Sequence, residues 1–329
     1  MSESSARTST SLIGKIVPIF DTHAADPAVG LTPEQANRID VMRILPFIAI
    51  HLGCLAVIWV GFSWFGLALA VGLYIIRMVG ITAFYHRYFS HRSFKSGRVV
   101  QFAMAVVGNS AVQRGPLWWA AHHRHHHRHS DEEVDAHSPM QHGFFWSHCG
   151  WFLSRANFKT HLDRVKDLSK FPELVFLDRF DWMVPVLLLS ACLLAGWMAP
   201  ASWGTSPLQA LIWGFCISTV ATAHCTFFIN SLAHVWGNRD YATTDTSRNN
   251  FILAILTMGE GWHNNHHHYQ SSARQGFRWW QVDVSYYVLW TMARLGLVSD
   301  LRPVPEAVLN EARRGAPMRL PVSEPAPAL

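Results

Sequence analysis

Charge is scarce in this chain. Of its 329 residues only 15% are Asp, Glu, Lys or Arg, while 50% are hydrophobic; an ordinary soluble domain carries about 25% charged residues. Cysteine is thin as well. Cys54, Cys149, Cys192, Cys216 and Cys225 show no C-x-x-C spacing and three of them lie in apolar runs. That excludes a disulfide frame or a zinc knuckle and leaves reduced thiols in a core or facing lipid. Residues 1–40 form a polar N-terminal segment with no apolar run, so no cleaved signal peptide is expected. The net charge of +5 comes with no nucleic-acid recognition motif, and no nucleic-acid partner is expected. Apart from a short recurring HxxHH pattern there is no internal repeat.

Long apolar runs are what the chain does have. Between Val41 and Phe84 the only charges are Arg43 and Arg77. That stretch exceeds one membrane span of about 20 residues, and Gly61, Ser63 and Gly66 mark a turn inside it. A second block, from Met183 to Asn230, breaks at Pro200–Pro207. Four spans follow, near 42–61, 64–85, 183–201 and 208–231. The runs 99–113 and 251–259 are too short to cross and read as buried or interfacial helices. Trp118, Trp119, Trp146, Trp151, Trp279 and Trp280 fit an aromatic belt at headgroup depth.

The two short inter-span turns carry no Lys or Arg, whereas the segment between the second and third spans and the C-terminal segment are both basic. Basic loops stay in the cytoplasm, which places both termini there as well. The expected fold is therefore an all-α integral membrane protein, four transmembrane helices capped by a helical cytosolic domain at 86–182 and 232–302. The tail from 303 to 329, rich in Pro, Ala and Arg, reads as flexible. Arg77 reads as a snorkelling side chain in preference to a functional charge.

Histidine is the informative residue. His86-x4-His91, His123-x2-His126-His127 and His263-x2-His266-His267 form three boxes, with His234 as an outlier. Imidazole suits iron, zinc, copper and nickel, and this many exceeds one metal's needs. Two metals are the natural reading. Positions i, i+3 and i+4 share a helix face, so each HxxHH box serves part of one shell and part of another. His86 and His91 diverge by about 140° on a regular helix; they reach different metals or straddle a helix end. Asp131, Asp135 and Glu260 are the nearest acids able to hold ring tautomers. A flexible metal-sequestering tract is the alternative for the run His122–His129, and two further boxes at span ends weigh against it. His51, His161 and His224 read as hydrogen-bonded interface residues.

These residues resemble the membrane fatty acid desaturases, in particular the acyl-CoA Δ9 (stearoyl-type) branch. The likeness runs over roughly 70–300. It includes Gly80-Ile81-Thr82-Ala83 before His86-Arg87, then Ser90-His91-Arg92-Ser93, and the word Gly143-Phe144-Phe145-Trp146-Ser147-His148-x-Gly150-Trp151. It continues through Asn230-Ser231-x-Ala233-His234 to Gly259-Glu260-Gly261-Trp262-His263-Asn264-x-His266-His267. The resemblance implies a di-iron centre held by His86, His91, His123, His126, His127, His234, His263, His266 and His267, with Asn230 reaching a metal through water. It implies a supporting place for His137, and substrate contacts at Trp119 and Arg155. Tyr74 and Met78 are implied to line the blind end of a kinked acyl tunnel. O2 is the implied co-substrate, and the product a cis-monounsaturated chain.

Some departures bear on the substrate. Where the family has Trp-Ala-Arg-Asp-His, this chain has Trp119-Ala120-Ala121-His122-His123, and the family's Arg-Lys pair is Arg155-Ala156. Coenzyme A is thus less firmly implied than the acyl chain, and acyl carrier protein or a phospholipid ester stays open as carrier. No His-Pro-Gly-Gly word of a fused cytochrome b5 domain is present. The expected electron source is a separate ferredoxin, rubredoxin or cytochrome b5-like protein with its reductase, in a bacterial inner membrane. Two other readings compete: a hydroxylase or desaturase of different regiochemistry on the same scaffold, and a non-enzymatic metal transporter or buffer. The latter would place its ligands near the bilayer midplane.

Overall fold

The computed structural model describes residues 20–23 and 26–311 and is mostly helical. Helix α1 (Val41–Val60), α2 (Trp64–Ser90) and, later in the chain, Pro207–His234 are long and apolar enough to cross a membrane. Between them come α3 (Arg98–Asn109), α4 (Pro116–His129), α5 (Pro172–Arg179) and α6 (Met183–Met198). Helix α6 is short, and α5 and α6 meet at a 70° bend, so the described residues hold three candidate spans, or four if that pair counts as one. We label Pro207–His234 α7; α8 (Phe251–Leu256), α9 (His263–His268), α10 (Val284–Arg294) and α11 (Glu306–Glu311) follow. One two-stranded antiparallel ladder pairs Lys95 with Ser299 and Ser96 with Val298.

Helix α7 packs against α1, α2 and α6, while the far end of α2 packs against α3 and α4. The outer faces are apolar. Leu45, Ile48, Leu52, Leu55, Ile58 and Trp59 of α1 are all exposed, and Val41–Leu55 contains no buried residue. A stripe of that size facing water is unstable; facing lipid it costs nothing.

Several expectations are revised. Arg77 does not snorkel: it is 0% exposed. Its guanidinium donates to the carbonyls of Leu73 and Ser110 and to the hydroxyls of Thr219, at 2.7 Å, and Ser218. With acceptors inside the bundle, it has no need of the interface. Trp118 and Trp151 are no part of an aromatic belt, being buried and stacked on each other at 5.5 Å. Trp119 stacks on His123. Trp279, 89% exposed, is free to serve as an anchor. The segment expected to be a loose tail begins with α11, whose Val308 packs with Tyr241 and Phe277; residues 312–329 lie outside the described residues.

The last eleven residues of α2, Gly80–Ser90, are wound with a wide turn, whose hydrogen bonds run from i to i+5. This stretch is buried throughout. It lies close against α3 because a side chain is missing there: a Cβ on Gly80 would sit 2.9 Å from the Val107 carbonyl oxygen. Backbone cannot yield as a flexible side chain does. We expect Gly80→Val to destabilise the protein by about 1–3 kcal/mol, read as a lower thermal midpoint in detergent. An unchanged midpoint would show that α2 and α3 are not locked there.

Candidate metal centre

The wide turn settles how His86 and His91 are used. On a regular helix they would diverge. Here the His91 amide donates to the His86 carbonyl at 3.2 Å, one i to i+5 step, as the helix ends. Both rings come to one place. His86, His91, His123, His127 and His266 form one group, and His126, His234, His263 and His267 another, each with its ligand atoms within 4.8 Å of one another. Each HxxHH box is shared: the first sends His123 and His127 to the five-membered group and His126 to the other. The second sends His266 one way and His263 and His267 the other. The groups abut, with the His127 and His267 rings 4.4 Å apart.

Ring chemistry shows what belongs between them. Nε2 of His266 lies 2.9 Å from Nε2 of His86 and 2.9 Å from Nε2 of His127. The Nε2 atoms of His91 and His123 are likewise 2.9 Å apart, and those of His234 and His263 3.1 Å. One ring hydrogen cannot serve two such neighbours. Nδ1 of His126 faces Asp135 at 2.9 Å, Nδ1 of His267 faces Asp245 at 2.6 Å, and Nδ1 of His234 faces Asp131 at 3.3 Å. Nδ1 of His86 contacts Glu260. A carboxylate only accepts, so each ring bears its hydrogen on Nδ1 and turns a bare lone pair inward. The buried Nε2 of His267 has no protein partner. Converging imidazole nitrogens, four of their rings backed by carboxylates, fit two divalent cations of the iron or zinc type.

The electrostatics agree. Burial, then the neighbouring imidazoles, hold His91, His123, His127, His263 and His266 well below the ordinary histidine range; they are neutral at pH 7. Burial alone would raise Asp131, Asp135, Asp245 and Glu260. The facing histidines more than offset it, and all four carboxyls lie below their usual range. His137 is pushed down to about 3 by burial and His126. Its ring lies 4.3 Å from that of His126.

Asp245, Arg87 and Gln275 escaped the sequence reading as supports. Asp245 sits 22 residues before His267, beyond the range of any local motif. Arg87, buried, bridges Glu260 at 3.0 Å and Asp283 at 2.9 Å and so fixes the acid behind His86. Gln275 reaches both Glu260 and His86. Only the position of Arg87 beside His86 hinted at this.

An apolar cavity of about 380 Å³ opens on one side of the centre. Trp119, His123, His137 and Asn230 are in its wall, and so, farther along the spans, are Ile50, Leu189, Phe215 and Val220. Tyr74 and Met78 are not. Tyr74 donates to the Leu256 carbonyl and Met78 is fully buried in the core, because that face of α2 turns toward α8 and α10. Arg155 is also outside the wall, half-exposed beside Asp40 at 3.4 Å.

Membrane-crossing helices that end in clustered histidines define a class, the histidine-box metalloproteins of membranes. Residues 33–294 match the fatty acid desaturase family model, and the chain belongs to that family. It is 36% identical to Delta-9 acyl-lipid desaturase 1 of Arabidopsis thaliana over 86% of this chain and 89% of that protein. It is 35% identical to sn-1 stearoyl-lipid 9-desaturase of Anabaena variabilis over 80% and 94%. An acyl-CoA C20 Delta5-desaturase of Anemone leveillei is 37% identical over 81% and 83%.

If Asp245 holds the His267 tautomer, Asp245→Asn weakens metal retention by about 10–100-fold. Metal analysis after dialysis against a weak chelator measures this; retention at the parent level would rule that role out.

Proposed function

We propose that the chain is an O2-dependent di-iron desaturase that introduces a cis double bond, at Δ9, into a saturated fatty acyl chain. The observation that carries this is the apolar cavity ending on His123, His137 and Asn230. His86, His91, His123, His127 and His266 would hold one iron. His126, His234, His263 and His267 would hold the other, with Asn230 acting through water. Bound irons supply the O2-reducing, hydrogen-abstracting power that no side chain has.

The chain's own residues do the rest. The cavity wall grips an alkyl chain by burial, which is worth roughly 0.8 kcal/mol per methylene. Because a methylene run has no polar handle, length from the mouth alone selects the bond that lies beside His123. Trp119, stacked on His123, closes the site against water on that flank. Asp131, Asp135, Asp245 and Glu260 keep the ligand rings aimed.

We read four spans, counting α5 and α6 as one, with both termini and the histidine-bearing cap in the cytoplasm of a bacterial cell. Electrons come from a separate ferredoxin, rubredoxin or cytochrome b5-like donor with its reductase. Acyl-CoA is our reading of the substrate; an acyl lipid is the second, favoured by a specific observation. Arg43 and Arg155 pair with Asp40, and Arg114 with Asp181 at 2.7 Å, so the basic groups near the cavity are already engaged. Relatives of both kinds fit this choice.

Lipid profiling of a saturated-lipid host tests the reaction. The parent chain should yield monounsaturated acyl groups and His126→Ala none. A product heavier by one oxygen would mean hydroxylation instead, and unsaturation from both chains would refute the site. In a labelled-stearate pulse, double bonds seen first in the thioester pool support acyl-CoA; bonds seen first in intact lipid support the second reading.

Chain length provides a separate check. Phe215→Ala enlarges the cavity's far end, so preference across C14 to C20 substrates should move to longer chains. An unmoved profile would take Phe215 out of the length gauge.

A further inference from the structure

A second, smaller cavity of about 170 Å³ reaches the centre from the other side. Its floor is His127, His267 and Asp245, one ligand candidate from each histidine group and the acid behind the second. Its rim is Arg128, Glu132, Ala242, Thr244 and Gln270, all exposed. Ser130, in the wall, has a buried hydroxyl with no partner, as does the Nε2 of His267 on the floor. The wall is made of hydroxyls, amides, imidazoles and carboxylates, in contrast to the apolar cavity opposite.

We propose that this polar cavity is the port through which hydrated divalent metal ions enter and leave the centre. The inference rests on the two-metal reading above. A dication sheds its water only where other donors replace it, since bare charge in an apolar medium is prohibitively costly. The other cavity is walled mainly by apolar groups such as Ile50, Leu189, Phe215 and Val220, and its polar groups, among them His51, Gln113 and Thr219, are the minor part of its surface. In the polar one an ion can keep part of its shell against Ser130, Thr243 and Asp245, and exchange the remainder for His127 and His267. The rim carries both Arg128 and Glu132, so attraction from a distance is weak. Size and hydration, not net charge, set the passage rate. The two routes are thereby separated: alkyl chains arrive by one face and ions by the other, and a bound acyl chain does not seal the ion's path.

Loading kinetics test the port without any turnover. Metal-free full-length protein in lipid nanodiscs is mixed with Co(II), and the rise of its ligand-field absorption is followed, with final metal content measured alongside. Thr244→Trp and Ala242→Trp place bulk on the rim and touch no ligand. Each should slow loading, and release to a water-soluble chelator, by about tenfold or more, with two metals per chain still bound at the end. Val220→Phe, which narrows the apolar cavity, should leave both rates unchanged. Parent-like rates in both rim variants would overturn the port, as would slowing by Val220→Phe alone. Parent protein that binds fewer than two metals at saturation would instead overturn the two-metal reading on which the port rests.

Discussion

Imidazole lone pairs that face one another at 2.9 Å in a dry core repel unless a cation lies between them. That is the constraint on which this molecule turns. His266 meets both His86 and His127 in this way, and Glu260 behind His86 holds that ring's hydrogen on Nδ1, away from the contact. Four acids are kept ionised in buried surroundings by their histidines; the acids aim the rings they face, while burial and neighbouring imidazoles keep His91, His123, His127, His263 and His266 neutral. Burying those groups unpaired would cost several kcal/mol each, so the centre and its supporting acids stand or fall together.

The scaffold answers to that centre. Helices α2 and α7, long and apolar enough to cross a membrane, carry His86 and His234 near their C-terminal ends. The wide turn at Gly80–Ser90 rotates His91 onto the His86 side, and α4 and α9 each divide three histidines between two groups. One cavity beside the histidine groups is walled mainly by apolar side chains such as Ile50, Leu189 and Phe215, and the other mainly by polar ones.

Much of this was legible in the residues. The boxes, their sharing between two groups and the acids Asp131, Asp135 and Glu260 could be read from spacing, because a helix imposes i, i+3 and i+4 on any sequence. What spacing cannot convey is a change of helical pitch or a partner from a distant loop. The first hid the joint use of His86 and His91; the second hid Asp245 and the Arg87–Asp283 pair. Arg77 was misread for a similar reason, since its acceptors Ser110, Ser218 and Thr219 come from other segments. Tyr74 and Met78 were placed by analogy of position along α2, and the rotation of that helix turned them away from the cavity. The tail at Glu306–Glu311 looked loose by composition, yet Val308 and Leu309 pack with Tyr241 and Phe277, and Glu311 pairs with His268.

The most direct measurement is an experimental structure of the iron-loaded protein with anomalous scattering recorded at the iron edge. Two peaks should appear, one inside the ring of His86, His91, His123, His127 and His266 and the other inside that of His126, His234, His263 and His267. A single peak, or iron found only elsewhere on the chain, would contradict a paired-metal centre.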